Sequence, residues 1–255
     1  MAPSVALAIA DTESYVLANN AIQACVSRFD FRSVHVFTDA PQYWPQYQTH
    51  SIEKIAAIED YNRIVLETLP QFLEDDFCLV IQFDGFILNA DAFSDTFYQY
   101  DYIGAEWPDY PYFRVGNGGF SWRSRKLINA VAELASIRKP GEPEDLFICR
   151  TLRVLLEERY GCKFAPEEVA RRFSYEIVPE SQPAFGFHGI FNLPMVYRND
   201  PQFLVKNLPA RILSSRNAHL QYGINLLDLP VRQVFQRLLA DAVKIDASQA
   251  LPEKP

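Results

Sequence analysis

No two cysteines stand at Cys-x-x-Cys spacing and no histidines follow at zinc-finger distance, so the chain carries neither a zinc-ribbon nor a thioredoxin signature. The four that occur, Cys25, Cys78, Cys149 and Cys162, are scattered and are expected to be buried free thiols, fitting a reducing compartment. Positive charge is also scarce. With 24 Lys and Arg against 32 Asp and Glu the net charge is −8, whereas a nucleic-acid binder needs a basic face to displace counterions from phosphate. Any phosphate in a ligand therefore has to be met locally, by a metal ion, a helix N-terminus or a single Arg. Long apolar runs are missing too. The first, Val5 to Ala10, stops at Asp11-Thr12-Glu13, too short for a signal sequence or a membrane span, and no basic segment precedes it. A soluble, cytoplasmic protein is expected, without a transmembrane segment, although a lipid-linked acceptor presented at a membrane surface stays compatible with it. No Gly-x-Gly-x-x-Gly follows that run, which argues against a dinucleotide-dependent dehydrogenase. Internal repeats, low-complexity tracts and domain linkers are absent as well.

What remains is a chain of 255 residues, 49% of them apolar, enough to bury the core of one α/β domain. Its N-terminal half alternates short apolar runs with helical patterns, the texture of βαβ units around a mostly parallel sheet flanked by helices. Strands are expected over residues 4–10, 33–38 and 77–81, and helices over 15–27 and 61–72, with an aromatic loop at 41–47. Further helices are expected over 124–136, 144–160, 166–172 and 229–243. From Asp246 the tail reads as disordered.

Four constellations can carry chemistry. In Gln82-Phe83-Asp84-Gly85 a carboxylate leaves the most apolar strand, at the end where open α/β sheets bind ligands, and the glycine allows a sharp turn; an ordinary Asp-Gly turn gives the same pattern. Val115-Gly116-Asn117-Gly118-Gly119-Phe120 reads either as a site of close backbone approach or as a tight loop. Glu144-Asp145 opens a helix, where acids serve as caps or as catalytic carboxylates. His188, in Phe185-Gly186-Phe187-His188-Gly189, is a metal ligand or a hydrogen-bonded structural residue.

Taken in order, these motifs resemble the GT-A glycosyltransferases. More closely, Gln82 to Leu88, Tyr102-Ile103-Gly104-Ala105, Val115 to Ser121, Glu144-Asp145, Phe164-Ala165-Pro166-Glu167 and Phe185 to Gly189 are similar to a widespread family of glycosyltransferase-like proteins, over about residues 4–197. The resemblance implies a single domain over 1–245: a Rossmann-like nucleotide-binding half at 4–104, an acceptor and catalytic half at 105–197, and a C-terminal helical extension at 198–245, followed by the tail 246–255. It implies transfer of a sugar from a nucleotide-diphosphate sugar, of uridine type, to a glycan or other hydroxyl acceptor. Asp84 matches the second acid of an Asp-x-Asp motif that holds Mn²⁺ or Mg²⁺ against the donor diphosphate, with His188 as further ligand. Gln82 stands where the first acid is usual, which leaves a metal-independent enzyme open. Asp11, Thr12, Thr38 and Asp39 match the regions that bind base and ribose, or cap the helices and turns that follow. Arg63 is either a second positive contact to the diphosphate or a solvated helix residue. By analogy with galactosyl- and fringe-type enzymes, Asp145, with Glu144 second, implies a base for an inverting transfer. Trp107, Asn117, Gly118 and Gly119 frame donor sugar and acceptor, Trp107 alternatively serving as packing. A non-catalytic nucleotide- or sugar-binding protein, and a nucleotide-sugar hydrolase or nucleotidyltransferase, are the competing readings.

Overall fold

A computed structural model describes residues 3–177, 183–213 and 217–249. The chain divides into two compact units, Met1–His188 and Gly189–Pro255.

The first unit is built on a six-stranded sheet. Val5–Ala10 (β1), Ser33–Thr38 (β2), Gln48–Ser51 (β3) and Phe77–Ile81 (β4) run parallel in the order β3-β2-β1-β4. Tyr102–Ile103 (β5) lies at the far edge; Ala105–Glu106 (β6) and Val115–Gly116 (β7) form a separate antiparallel pair. Phe120–Ser124 (β8) inserts antiparallel between β4 and β5, completing the order β3-β2-β1-β4-β8-β5. The strands β1 and β4 are apolar at almost every position because both faces are covered. Ala6, Ala8, Cys78 and Val80 pack with Ile64, Leu69 and Ile128 on one face, so the alternating Leu7, Ile9, Leu79 and Ile81, equally buried, face the other.

The helices around the sheet start and stop for local reasons. Tyr15–Val26 (α1) follows a turn in which Asp11 Oδ1 accepts from the backbone N–H groups of Glu13 (2.9 Å) and Ser14 (2.6 Å). Ile58–Arg63 (α2) begins three residues before the expected start, because Asp60 accepts from Ala56 N and Ala57 N at 3.0 Å each. It continues as a wide π turn, Ile64–Thr68, into a 3-10 turn at Leu69–Gln71; Pro70 lacks an N–H, and widening the preceding turn accommodates its ring. Arg125–Leu134 (α3) is capped by Ser124, whose hydroxyl accepts from Leu127 N. Glu144–Leu146 (α4) passes through a π turn at Phe147–Thr151 into Arg153–Tyr160 (α5), which ends at Gly161 in the left-handed conformation, φ 61°. Glu167–Phe173 (α6) leads into Ser174–Tyr175 (β9), which pairs in parallel with Gly186–Phe187 (β10).

Beyond the three expected strands β1, β2 and β4, the seven others among the described residues fall outside the sequence reading, β3 and β8 most tellingly. The polar edge strand β3, Gln-Thr-His-Ser, has no hydrophobic alternation to reveal it. The strand β8 is wholly buried yet contains Arg123, a residue that hydropathy assigns to the surface.

The second unit is helical: Leu193–Val196 (α7), Pro201–Asn207 (α8), Ala210–Leu213 (α9), Ala218–Asn225 (α10) and Leu229–Gln249 (α11). Sequence periodicity exposed α11 alone, since the others span two turns or fewer. Asp200 and Asn217 nevertheless cap α8 and α10 by accepting from Phe203 N and Leu220 N, each at 3.0 Å. The helix α11 continues past Asp246, where a disordered tail was expected, because neither Gly nor Pro interrupts residues 231–249. The rest of that expected tail, 250–255, lies outside the described residues.

Candidate functional site

Asp84 sits just beyond the carboxyl end of β4, in a turn closed by Gly85 N donating to Gln82 O at 3.0 Å. Gly85 is required there: a Cβ would lie 2.8 Å from Gly119 O and 3.0 Å from both His188 Cδ2 and Phe187 O. The carboxylate is buried, and its Oδ1 has no hydrogen-bond partner among the described residues. The nearest positive group is His188, whose Nε2 lies 3.5 Å away. This histidine follows β10 and is anchored by its own N–H donating to Tyr175 O at 3.0 Å. Its Nε2 lies 3.1 Å from Gln82 Oε1, and its Nδ1–H donates to Glu176 Oε1 (3.0 Å), with Asn117 Nδ2 as a neighbour at 2.9 Å. Burial opposes a charge on this imidazole, but Asp84 and then Glu176 outweigh it and push its pKa up to about 10.

The glycine-rich segment forms the facing wall. Asn117 adopts the left-handed conformation, φ 73°, and its Oδ1 accepts from Gly119 N (3.0 Å) and Phe120 N (3.3 Å); that fixes its nitrogen as the end turned to His188. A Cβ on Gly119 would fall 2.0 Å from His188 Nε2, and one on Gly118 would fall 1.8 Å from Glu144 Oε1. These glycines exist to let two ionisable side chains approach the backbone.

Behind them lies a buried ion pair. Arg123 reaches Glu144 Oε1 (3.0 Å), Gly118 O (3.3 Å) and Ser121 Oγ (2.9 Å), with both charged side chains under 5% exposed. Burial alone would lower the Arg123 pKa; Glu144 raises it and keeps the guanidinium charged. Asn62 holds the same corner, its Oδ1 accepting from Glu144 N at 3.0 Å. Glu144, second choice as a base, is therefore engaged by Arg123, whereas the adjacent Asp145 is half-buried and accepts from Gly118 N (3.2 Å) and Leu146 N (2.8 Å). Burial and the neighbouring Glu144 push the Asp145 carboxyl up to about 6, against smaller opposing effects of its two N–H donors and Arg123.

The nucleotide-half residues come together at the ends of β1 and β2. Asp11 N donates to Phe37 O (3.0 Å), and Tyr15 OH donates to Asp39 Oδ1 (2.8 Å) with Thr12 O beside it at 3.1 Å. Thr12 Oγ1 accepts from Ile55 N and Thr38 Oγ1 from Ala40 N. Asp11 and the two threonines thus shape turns, and Asp39 is the exposed carboxylate of the group. Arg63 is a largely exposed helix residue paired with Asp60 at 3.2 Å. Trp107 is buried, its ring against Gly116, where a Cβ would come within 2.1 Å, and beside Tyr110. Two participants lacked any sequence signal: Glu176, a lone acid after a two-residue strand, and Arg123.

Among the described residues no three His, Cys, Asp or Glu side chains form a metal-ligand group. Asp84 is the buried carboxylate of the site with an oxygen that meets only His188, and hard divalent cations bound by one carboxylate complete their shells from ligand phosphates and water. His188 Nε2 joins that shell only by giving up its proton, so proton and metal are alternative ways to neutralise Asp84.

Among solved structures, a glycosyltransferase involved in glycosylation of the major capsid of PBCV-1 is 8% identical, with a TM-score of 0.48, covering 73% of this chain and 92% of its own. The apo form of the glycosyltransferase GlyE from Streptococcus pneumoniae TIGR4 is 12% identical, TM-score 0.47, covering 95% and 64% respectively. The mannosyltransferase PcManGT from Pyrobaculum calidifontis, in complex with GDP-Man and Mn²⁺, is 10% identical, TM-score 0.44, covering 99% and 77%. No curated protein matches the sequence. The family model described as a protein of unknown function (DUF5672) matches residues 45–188, more than half of the chain and the stretch that holds Asp84, Asn117, Asp145 and His188, and the chain belongs to that family.

Proposed function

We propose that the chain is a glycosyltransferase that moves a sugar from a nucleotide-diphosphate sugar, of uridine type, to a hydroxyl acceptor on a glycan or other molecule. The observation that carries this reading is the buried Asp84 carboxylate, whose Oδ1 has only His188 Nε2 beside it at 3.5 Å, at the carboxyl end of the central strand β4. At the ends of the two neighbouring strands Asp39 binds the nucleoside, and Asp11, Thr12 and Thr38 shape the turns that present it.

Asp84, with His188 once deprotonated, holds Mn²⁺ or Mg²⁺, which when bound acts as a Lewis acid on the leaving diphosphate. Transfer is inverting: the acceptor oxygen bonds to the anomeric carbon as the bond from sugar to phosphate breaks, and the acceptor proton passes to Asp145. A carboxyl titrating near 6 is ionised above neutral pH and basic enough to take that proton. Gly118 N orients it, while Arg123, paired with Glu144, holds the Gly118 carbonyl from behind. Asn117, Gly118 and Gly119 frame the sugar.

Calorimetric titration of UDP, GDP and CMP with Mn²⁺ or with EDTA tests the donor site. One nucleotide is expected to bind with Mn²⁺ and to lose its binding in Asp84→Ala and His188→Ala. Failure of every nucleotide to bind would overturn the reading.

A further inference from the structure

Away from Asp84, a hydrogen-bonded chain runs from the loop before β4 through β2 to the edge strand β3. Asp75 Oδ2 accepts the Ser33 hydroxyl proton at 2.6 Å. The Ser33 oxygen is thereby left to accept from His35 Nε2 at 3.0 Å, which puts the ring proton on Nε2 and a lone pair on Nδ1. That lone pair accepts from His50 Nε2–H, 3.0 Å away on the neighbouring strand, a proton that moves to His50 Nδ1 when Nε2 becomes a ligand.

We propose that His35 Nδ1 and His50 Nε2 form a two-histidine site for a divalent transition metal of the zinc, nickel or copper type, with water completing the shell. Two imidazole nitrogens bound to one such ion at about 2.0–2.1 Å and near-tetrahedral angles stand roughly 3.3 Å apart, so the present pair needs to open by a few tenths of an ångström. A metal-bound histidine ordinarily donates its second ring N–H to a group ending in a carboxylate, which fixes the tautomer and strengthens the ligand. Here Ser33 and Asp75 do this for His35; Asp75 is nearly buried, its Oδ1 has no hydrogen-bond partner among the described residues, and Arg32 Nε lies 3.8 Å from it. The His50 ring is held by stacking on Phe37 (4.6 Å) and against Phe72 (4.0 Å). A cavity of about 450 Å³, lined by Ser33, His35, Gln48, Phe72 and Asp75 with the charged Arg32 and Glu74, reaches the His35 side of the pair. The ion would clip the four-residue edge strand β3 to β2. This site is independent of the donor site proposed above.

Electron paramagnetic resonance of the full chain with one equivalent of Cu²⁺ tests it, copper being the tightest binder of its series. The expected wild-type spectrum shows two coordinated imidazole nitrogens, which disappear in His50→Gln and persist in His188→Gln. Ser33→Ala, which disconnects Asp75 from the ring, is expected to weaken Cu²⁺ binding by about tenfold or more. Fewer than two imidazole nitrogens in the wild type, or a spectrum unchanged by His50→Gln, would overturn the proposal; the wild-type count decides the matter even if a variant fails to fold.

Discussion

Asp84 and Asp145 are both carboxylates beside the same glycine-rich wall, and their surroundings divide their roles. Asp84 faces an imidazole that, without metal, is expected to stay protonated from pH 6 to 9 in NMR titrations, while in Asp84→Asn its midpoint falls toward the ordinary 6.5. The stabilisation from that pair is fully present below about 6.5 and is lost as pH rises through about 10. For Asp145 the sign is opposite to that of an ordinary salt-bridged acid. Its carboxyl is raised from 3.8 to about 6, so the folded state binds more protons than the unfolded chain between those values, and stability falls as pH rises through that window. Denaturant melts are expected to show the wild type losing up to about 3 kcal/mol relative to Asp145→Asn between pH 4 and 6. In an activity profile the same group sets an acid limb near pH 6. These acids were legible because each stands at a sequence landmark, the end of an apolar strand or the start of a helix. Glu176 and Arg123 were not, since contact between residues distant in sequence leaves no local pattern.

At the scale of elements, β8 and its glycine approach do the positioning. Arg123 is tolerated in a buried strand because Glu144 neutralises it across the Gly118 backbone. Glu144→Ala is expected to destabilise by about 3–5 kcal/mol in denaturant melts, leaving a buried unpaired guanidinium, and an Arg123→Met, Glu144→Leu double variant to recover most of that loss. Gly119→Ala forces the His188 ring away, so nucleotide binding should weaken while Gly141→Ala, where a Cβ meets nothing within 4 Å, leaves binding intact despite strain at φ 78°. The apolar strands β1, β2 and β4 and the capped helix α3 were visible in the sequence because burial on both faces and a capping serine leave strong marks. The edge strand β3 left none, since an edge needs only one neighbour and accepts polar side chains.

For the whole molecule, the alternation of strand and helix revealed three of the four parallel strands, while the antiparallel insertion of β8 between β4 and β5 depends on pairing that periodicity does not record. The helices α7 to α10 are likewise too short for a clear periodic signal. No helix of the described residues is long and apolar enough to cross a membrane. A nucleotide held by the folded chain alone stabilises it by mass action, about 2.7 kcal/mol at one hundred times its dissociation constant, which thermal melts with UDP and Mn²⁺ should show as a rise of several degrees. The central claim is most directly tested by incubating the protein with UDP-, GDP- and CMP-linked sugars and Mn²⁺ at pH 7.5 and measuring release of the nucleotide. The account predicts release from one class of donor, abolished in Asp84→Ala and reduced by about 10²-fold or more in Asp145→Asn. Release from no donor, or release unaffected by Asp84→Ala, would contradict it.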